Sequence, residues 1–264
     1  MTFLCPLCGK PLTKENNSFV CENRHSFDIA RQGYVNLLPV QQKKSLHPGD
    51  TKEQVLSRRA FLDGGFYEPI AKAVCQMAKD CQGPILDVGC GEGYYGSQVA
   101  KALDAELVGL DISKEAVRYA AGRYKDAAWI CGSAARLPVE DHSVGLLMSM
   151  FALTLPEEYL RVLKKEGAFL QVLAAEDHLM GLKGIIYDAL THKEKDSVPQ
   201  LPGFQLVESR KVAFTFTVEG EQVANLLSMT PHVFRISKEG AQRLTETKKL
   251  TDRASCVINL YKPI

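Results

Sequence analysis

No stretch of this chain approaches the roughly 18–20 consecutive apolar residues that a membrane-spanning helix requires. The start, Met1-Thr2-Phe3-Leu4-Cys5-Pro6, lacks the charged-then-apolar pattern of a signal peptide. The expected location is therefore the cytoplasm, with no membrane partner. An excess of either charge is lacking too. Lysine plus arginine total 32 against 31 aspartate plus glutamate, a formal net charge of +1. A nucleic-acid surface, if there is one, has to be local. Composition is ordinary for a globular protein, 45% hydrophobic and 24% charged. At 264 residues the chain has room for one large domain, or for a large domain with a small one attached.

What the chain does have is eight cysteines, unevenly spread. Cys5, Cys8 and Cys21 cluster at the start, while Cys75, Cys81, Cys90, Cys131 and Cys256 are scattered. In a cytosolic chain this favours a metal site plus unbridged core thiols over disulfides. Cys5-Pro6-Leu7-Cys8-Gly9 reads as a metal knuckle, and Cys21-Glu22-Asn23-Arg24-His25 supplies a second ligand pair. With a hairpin expected around Glu15-Asn16-Asn17 and short strands at Phe19-Val20 and Ser26–Ile29, the pairs can close a tetrahedral zinc site. Three thiolates and an imidazole leave no open position, so the metal is expected to be structural. So short a segment cannot build its own core, and metal binding would drive its folding by roughly 10 kcal/mol or more.

Residues 36–50 read as a connecting loop. Arg31, Lys43, Lys44, Arg58 and Arg59 put positive charge in and around it, either as a patch for RNA phosphates or as solvated surface. Residues 51–80 read as helix, capped by Thr51 and interrupted at Gly64-Gly65. Tyr67 lies in the interruption, where its ring can cover a ligand or pack against core.

From Pro84 onward strands and helices alternate. Strands are expected at Ile85–Val88, Leu107–Leu110, Ala128–Cys131, Val144–Met148 and Ala168–Leu173. Helices are expected at Tyr94–Leu103, Lys114–Tyr124, capped by Ser113, and Glu157–Leu163. A helix from Asp177 to Leu190, a polar loop Thr191–Gln200, strands Phe204–Glu208 and Val212–Thr217, helices Gly220–Met229 and Lys238–Thr245, and a last strand Ser255–Tyr261 complete the chain. Alternating βαβ units predict a parallel sheet with helices on both faces, its ligand at the carboxyl ends of the strands.

The stretch Ile85-Leu86-Asp87-Val88-Gly89-Cys90-Gly91-Glu92-Gly93 is such a strand turning sharply into a helix. Gly91-Glu92-Gly93-Tyr94-Tyr95-Gly96 formally fits the dinucleotide pattern GxGxxG. The glycines leaving the strand, however, are Gly89, Gly91 and Gly93, and Asp87 would meet a pyrophosphate unfavourably. S-adenosylmethionine, with a positive sulfonium and ammonium and no phosphate, suits Asp87, Gly89 and Gly91 better. Asp111 is placed to accept from ribose hydroxyls. Gly132-Ser133-Ala134-Ala135-Arg136-Leu137-Pro138 could line an adenine pocket.

Read together, these segments resemble the bacterial 23S rRNA guanine-N1 methyltransferase family, the RlmA family, over essentially the full length. The strongest stretches are Cys5-Pro6-Leu7-Cys8, Cys21 through His25, Gly33 through Gln41, Pro48-Gly49-Asp50, Arg58 through Asp63, Leu86 through Tyr95, and His178 through Gly184. The resemblance implies an α/β protein: an N-terminal zinc ribbon at 1–35 for RNA recognition, a linker with helices at 36–82, and a Rossmann-like class I S-adenosylmethionine-dependent methyltransferase domain at 83–264. It carries zinc ligation to Cys5, Cys8, Cys21 and His25, and cofactor contacts to Tyr67, Tyr95, Gly96 and His178. The implied reaction is methyl transfer to N1 of a guanine in a 23S rRNA hairpin, the helix 35 region. N1 of guanine is protonated at neutral pH, so a base is needed. Glu92, Asp111 and His178 are candidates, and none identifies itself.

One departure stands out. Where these relatives carry an aromatic-Ala-Pro segment, this chain has Phe151-Ala152-Leu153-Thr154-Leu155. Loss of the proline predicts a softer base-binding loop and raises the alternative of a noncatalytic RNA-binding protein with the same fold. A methyltransferase for another substrate fits the sheet but gives the ribbon no task. A homodimer would help a small ribbon grip a folded RNA.

Overall fold

The computed structural model describes residues 1–42, 45, 48–189 and 196–264. Lys43 and Lys44 of the basic stretch, and Leu190 and Thr191–Lys195 of the expected helix end and polar loop, lie outside the described residues.

The N-terminal unit is a three-stranded antiparallel sheet of β1 (Leu12–Glu15), β2 (Ser18–Cys21) and β3 (Ser26–Asp28). Its first hairpin turns at the expected asparagines, with Asn16 in the left-handed region at φ 52°, which asparagine tolerates better than most residues. This unit does not stand apart. Leu4 N–H donates to the Pro138 carbonyl at 2.9 Å. Buried Phe3 and Leu12 share a core cluster with Leu137 and Val139.

The next strand, β4 (Tyr34–Asn36), leaves the ribbon altogether. It pairs in parallel with β7 (Ala128–Cys131), forming the outer edge of the large sheet. Helix α1 (Lys52–Asp63) follows. Thr51 and Gln54 close a capping box at its start, and Gly64 ends it. Helix α2 (Glu68–Ala78) begins just past the glycine pair.

The large sheet has eight strands. Beside β4 and β7 these are β5 (Ile85–Val88), β6 (Leu107–Asp111), β8 (Val144–Met150), β9 (Leu163–Ala174), β10 (Phe204–Glu219) and β11 (Lys249–Pro263), in the order β10-β11-β9-β8-β5-β6-β7-β4. Helices α3 (Tyr94–Leu103), α4 (Lys114–Arg123) and α5 (Pro156–Val162) connect its parallel part. The expected all-parallel sheet needs correction. From β4 to β9 the pairs are parallel, but β11 runs antiparallel to both β9 and β10. The two strands expected at 204–208 and 212–217 are one long strand, bulged between Leu206 and Glu208. Helices α7 (Glu221–Ser228) and α8 (Lys238–Glu246) lie between β10 and β11, and β11 returns antiparallel beside β10 without a crossover.

The expected 177–190 helix is shorter, α6 (Met180–Ile186). Leu179 takes φ 53°, breaking any earlier start. The Asp252 carboxylate then caps the helix, accepting from Gly181 N–H at 2.9 Å and Leu182 N–H at 2.7 Å.

Successive side chains of β5 face opposite layers, Ile85 into one core cluster and Leu86 into the other. Chain order reverses between β5 and β8, with β6 and β7 on one side and β9 on the other. The turn after β5 therefore opens at the switch point, where sheets of this kind bind ligands.

Candidate active site and metal centre

Cys5, Cys8, Cys21 and His25 offer ligand atoms that all lie within 4.8 Å of one another. His25 Nδ1 is 3.4 Å from Cys5 Sγ and 3.5 Å from Cys21 Sγ, and the sulfurs of Cys8 and Cys21 are 3.7 Å apart. Two thiolates each about 2.3 Å from one tetrahedral zinc are roughly 3.8 Å apart, so the cluster fits that ion. Both pairs sit on knuckles: Gly9 N–H reaches the Cys5 carbonyl at 2.8 Å, and Arg24 N–H the Cys21 carbonyl at 2.8 Å. Without metal, burial pushes the Cys5 thiol up to about 11, while the Lys10 backbone N–H leads in pulling Cys8 down to about 6. Four protein ligands fill the coordination sphere, as in a structural site. The other five cysteines form no disulfides among the described residues.

At the glycine turn, Gly89 has φ 75° and Gly93 φ 83°. Each is also closely approached. A Cβ at Gly89 would meet Ala152 Cβ at 2.8 Å, and one at Gly93 would meet the Trp129 ring at 2.4 Å. Only glycine satisfies both demands. The turn's backbone is heavily committed. Gly89 and Cys90 N–H donate to the Leu110 carbonyl at 2.8 and 3.1 Å, and Gly93 N–H to the Cys90 carbonyl at 3.0 Å. Asp111 takes Gly91 N–H on Oδ2 and Ser113 N–H on Oδ1, both at 2.8 Å. Ser113 itself caps α4, accepting from Ala116 N–H at 3.1 Å. Asp111 is thus held at the end of β6 with a lone pair on each oxygen still to offer. Burial raises its pKa, and the N–H groups of Ser113 and Gly91 oppose the rise.

Asp87 is 1% exposed, and its Oδ1 has no hydrogen-bond partner among the described residues. A Cβ at Gly96 would stand 2.5 Å from its Oδ2, so this carboxylate closes on the start of α3. Burial first, then the charge of Asp111, pushes its pKa up to about 7. Tyr95, in the first turn of α3, also has a buried hydroxyl without a partner among the described residues. Unsatisfied buried polar atoms of this kind suit a polar ligand, and a cationic amino acid moiety fits acidic partners.

Tyr67 is buried, edge-on to Phe61 at 4.9 Å and Phe216 at 5.9 Å. It packs against core, and its hydroxyl also reaches His178 Nε2 at 3.3 Å. His178 Nδ1 accepts the Ser255 N–H at 3.1 Å, so the ring proton sits on Nε2. The Phe151 ring lies 6.1 Å from the His178 ring at 31°. Phe151 has φ 55° and is 39% exposed.

The 151–155 loop, expected to be softer without its proline, is tied at three points. Phe151 N–H donates to the Val172 carbonyl at 2.9 Å, Gln171 Nε2 to Thr154 Oγ1 at 2.7 Å, and Tyr159 Oη to the Leu153 carbonyl at 2.8 Å. In the loop after β7, Ser133 Oγ accepts from Ala135 N–H at 3.2 Å and shapes the turn.

Glu92 turns away, toward α4. It is 2% exposed, its oxygens make no hydrogen bond among the described residues, and Arg123 Nη1 is 3.7 Å off. Of the basic residues, Arg58 pairs with Asp50, and Arg59 with Asp63 at 3.6 Å. Arg58 is therefore not part of an open basic patch. Sequence spacing missed this, because an inward and an outward arginine on one helix look alike.

Comparison with known proteins places the two units. Residues 3–46 match the family model described as RlmA, N-terminal, and residues 85–170 match a methyltransferase domain. A 23S rRNA (guanine(748)-N(1))-methyltransferase of Streptomyces fradiae is 34% identical over 86% of this chain and 84% of its own. A Micromonospora griseorubida protein, provisionally named a 23S rRNA (guanine-N(1)-)-methyltransferase, is 36% identical over 67% of each chain. Among solved structures, one from the complex between the Haloferax volcanii Trm112 methyltransferase activator and a provisionally assigned methyltransferase is 18% identical. It covers 80% of this chain and 94% of its own with a TM-score of 0.53, a likeness of fold.

Proposed function

The chain belongs to the 23S rRNA (guanine-N1)-methyltransferase family, and from that membership we propose methyl transfer to N1 of one guanine in a 23S rRNA hairpin, the helix 35 region. The observation that carries the proposal is the pairing, on one chain, of a four-ligand zinc ribbon with an acid-lined glycine turn at the switch point of the sheet. Bound S-adenosylmethionine supplies the activated methyl group. Asp87, Gly89, Gly91, Tyr95, Gly96 and Asp111 would hold it, with Tyr67 and His178 beside them. Phe151, exposed on the same rim, offers a face on which an extruded guanine stacks.

The protein's own contribution is positioning and exclusion of water. The N1 proton must still leave. Asp111 has both oxygens on backbone N–H groups, His178 carries its proton on Nε2, and Glu92 faces α4. Of the three, Asp111 keeps its remaining lone pairs for the ribose hydroxyls and Glu92 turns its oxygens toward α4, so none is assigned as the base. Residues 1–35 serve RNA recognition in this reading, 36–82 link, and 83–264 catalyse, in a cytoplasmic homodimer. No helix among the described residues is long and apolar enough to cross a membrane.

The test is incubation of the zinc-loaded protein with labelled S-adenosylmethionine and unmodified 23S rRNA, followed by primer extension. A stop at a single N1-methylguanine supports the reading. Label without N1-methylguanine, or cofactor binding without turnover, counts against it and favours another substrate or a noncatalytic RNA-binding role.

A further inference from the structure

We propose that Arg58 is the counter-ion for the carboxylate of bound S-adenosylmethionine, an assignment that rests on the cofactor reading above. A ligand carboxylate at this turn has an unusual problem. The walls are acidic, with Asp87 against the start of α3 and Asp111 on the Gly91 N–H. Four of the five backbone N–H groups from Gly89 to Gly93 are already spent on Leu110, Asp111 and Cys90. The usual anion trap at a helix start is therefore largely closed.

Arg58 supplies what the backbone does not. It projects from α1 so that its Nη1 lies 3.8 Å from where a Gly91 Cβ would be. The guanidinium is fixed from two sides. Asp50 pairs with Nη1, and Nη2 donates to the Met229 carbonyl at 3.3 Å. Asp50 is itself tied to the Asp111 loop, since its carbonyl accepts Ser113 Oγ at 2.7 Å. Two of the five guanidinium donors are thereby used, and a planar fork can serve a second carboxylate while keeping the first. With glycine at 91, no side chain stands between the guanidinium and the turn.

The bland alternative is that Arg58 merely ties α1 to the end of α7. The two are separated by calorimetry on the intact, zinc-loaded protein without RNA. The ligands are S-adenosylmethionine and decarboxylated S-adenosylmethionine, which differ only in the carboxylate. Wild type is expected to prefer the carboxylate-bearing ligand by at least about tenfold, the size of one charge-assisted hydrogen bond. Arg58→Gln is expected to erase that preference while leaving affinity for the decarboxylated ligand unchanged. Arg58→Lys, which keeps the charge but not the fork, is expected to retain part of it, and decides the matter should the glutamine variant not fold. Equal weakening of both ligands, or an unchanged preference, overturns the proposal and leaves Arg58 a structural tie. Failure of wild type to bind either ligand overturns the cofactor reading itself, and this assignment with it.

Discussion

The Tyr67 hydroxyl meets His178 Nε2 at 3.3 Å, joining residues 111 positions apart in the sequence. Because His178 Nδ1 is occupied by the Ser255 N–H, the imidazole donates to the tyrosine rather than accepting from it. Tyr67→Phe keeps the ring among Phe61, Phe214 and Phe216 and removes only that acceptor. The expected cost is about 1 kcal/mol, the net worth of one hydrogen bond. His178→Ala also strips Ser255 N–H of its partner and should cost about twice that or more. Thermal unfolding of the two variants checks the ranking. Equal effects would mean that the Ser255 contact contributes nothing.

Glu92 gives a pH signature. Burial first, offset by the Arg123 charge and reinforced by Asp63, pushes its carboxyl up to about 7; Arg59 and Arg58 pull it back slightly. A raised folded pKa means that between its unfolded value and about 7 the native state binds more protons than the unfolded chain. Stability therefore falls as pH rises through that window and levels off above it. Asp87, also raised to about 7, adds in the same direction. Glu92→Gln should remove part of the slope, on the order of 1–3 kcal/mol between acid and neutral pH. Urea melts at pH 5, 6, 7 and 8 measure it. A wild-type stability that climbs steadily from pH 5 to 8 would rule this out.

Features with a local signature were legible in the sequence. The capping box at Thr51, the Ser113 cap, the glycine turn and the cysteine pairs each depend on neighbours within a few residues. What escaped were features set from a distance. Tyr34–Asn36 is too short to announce a strand, and its partner lies at Trp129–Cys131. The start of α6 is decided by Asp252, about seventy residues on. The antiparallel return of β11 depends on which edge of the sheet is left open. The inward path of Arg58 depends on Asp50 and on a carbonyl at the end of α7. The missing proline after Phe151 was legible, but the Gln171–Thr154 and Tyr159–Leu153 hydrogen bonds of that loop were not.

Metal removal should be felt beyond the ribbon. Zinc ligation is expected to supply roughly 10 kcal/mol to so small a unit. Phe3 and Leu12 pack with Leu137 and Val139, and Leu4 bonds Pro138. Chelation, or Cys21→Ser, is therefore expected to raise hydrogen exchange both in the ribbon strands and at Val139. The buried strands Ile85–Val88 and Val144–Met150 should stay protected. Exchange confined to the ribbon strands would show that the interface with Leu137 and Val139 is not coupled to the metal.

Phe151 combines two properties that separate by mutation. Its φ of 55° is strained for a bulky side chain, and its ring is exposed at the rim where it packs on His178. If the strain is kept because the ring stacks on the target base, Phe151→Gly relieves the backbone while removing the stacking face. The variant should be no less stable than wild type, bind S-adenosylmethionine about equally, and methylate RNA slower by roughly tenfold to a hundredfold, the worth of one aromatic–base stack. Phe151→Tyr, which keeps a ring, should retain most activity. The comparison uses initial rates at saturating cofactor alongside thermal midpoints. Normal rates in the glycine variant would move the base elsewhere, and a large loss of stability would make Phe151 a packing residue whose strain is tolerated rather than used.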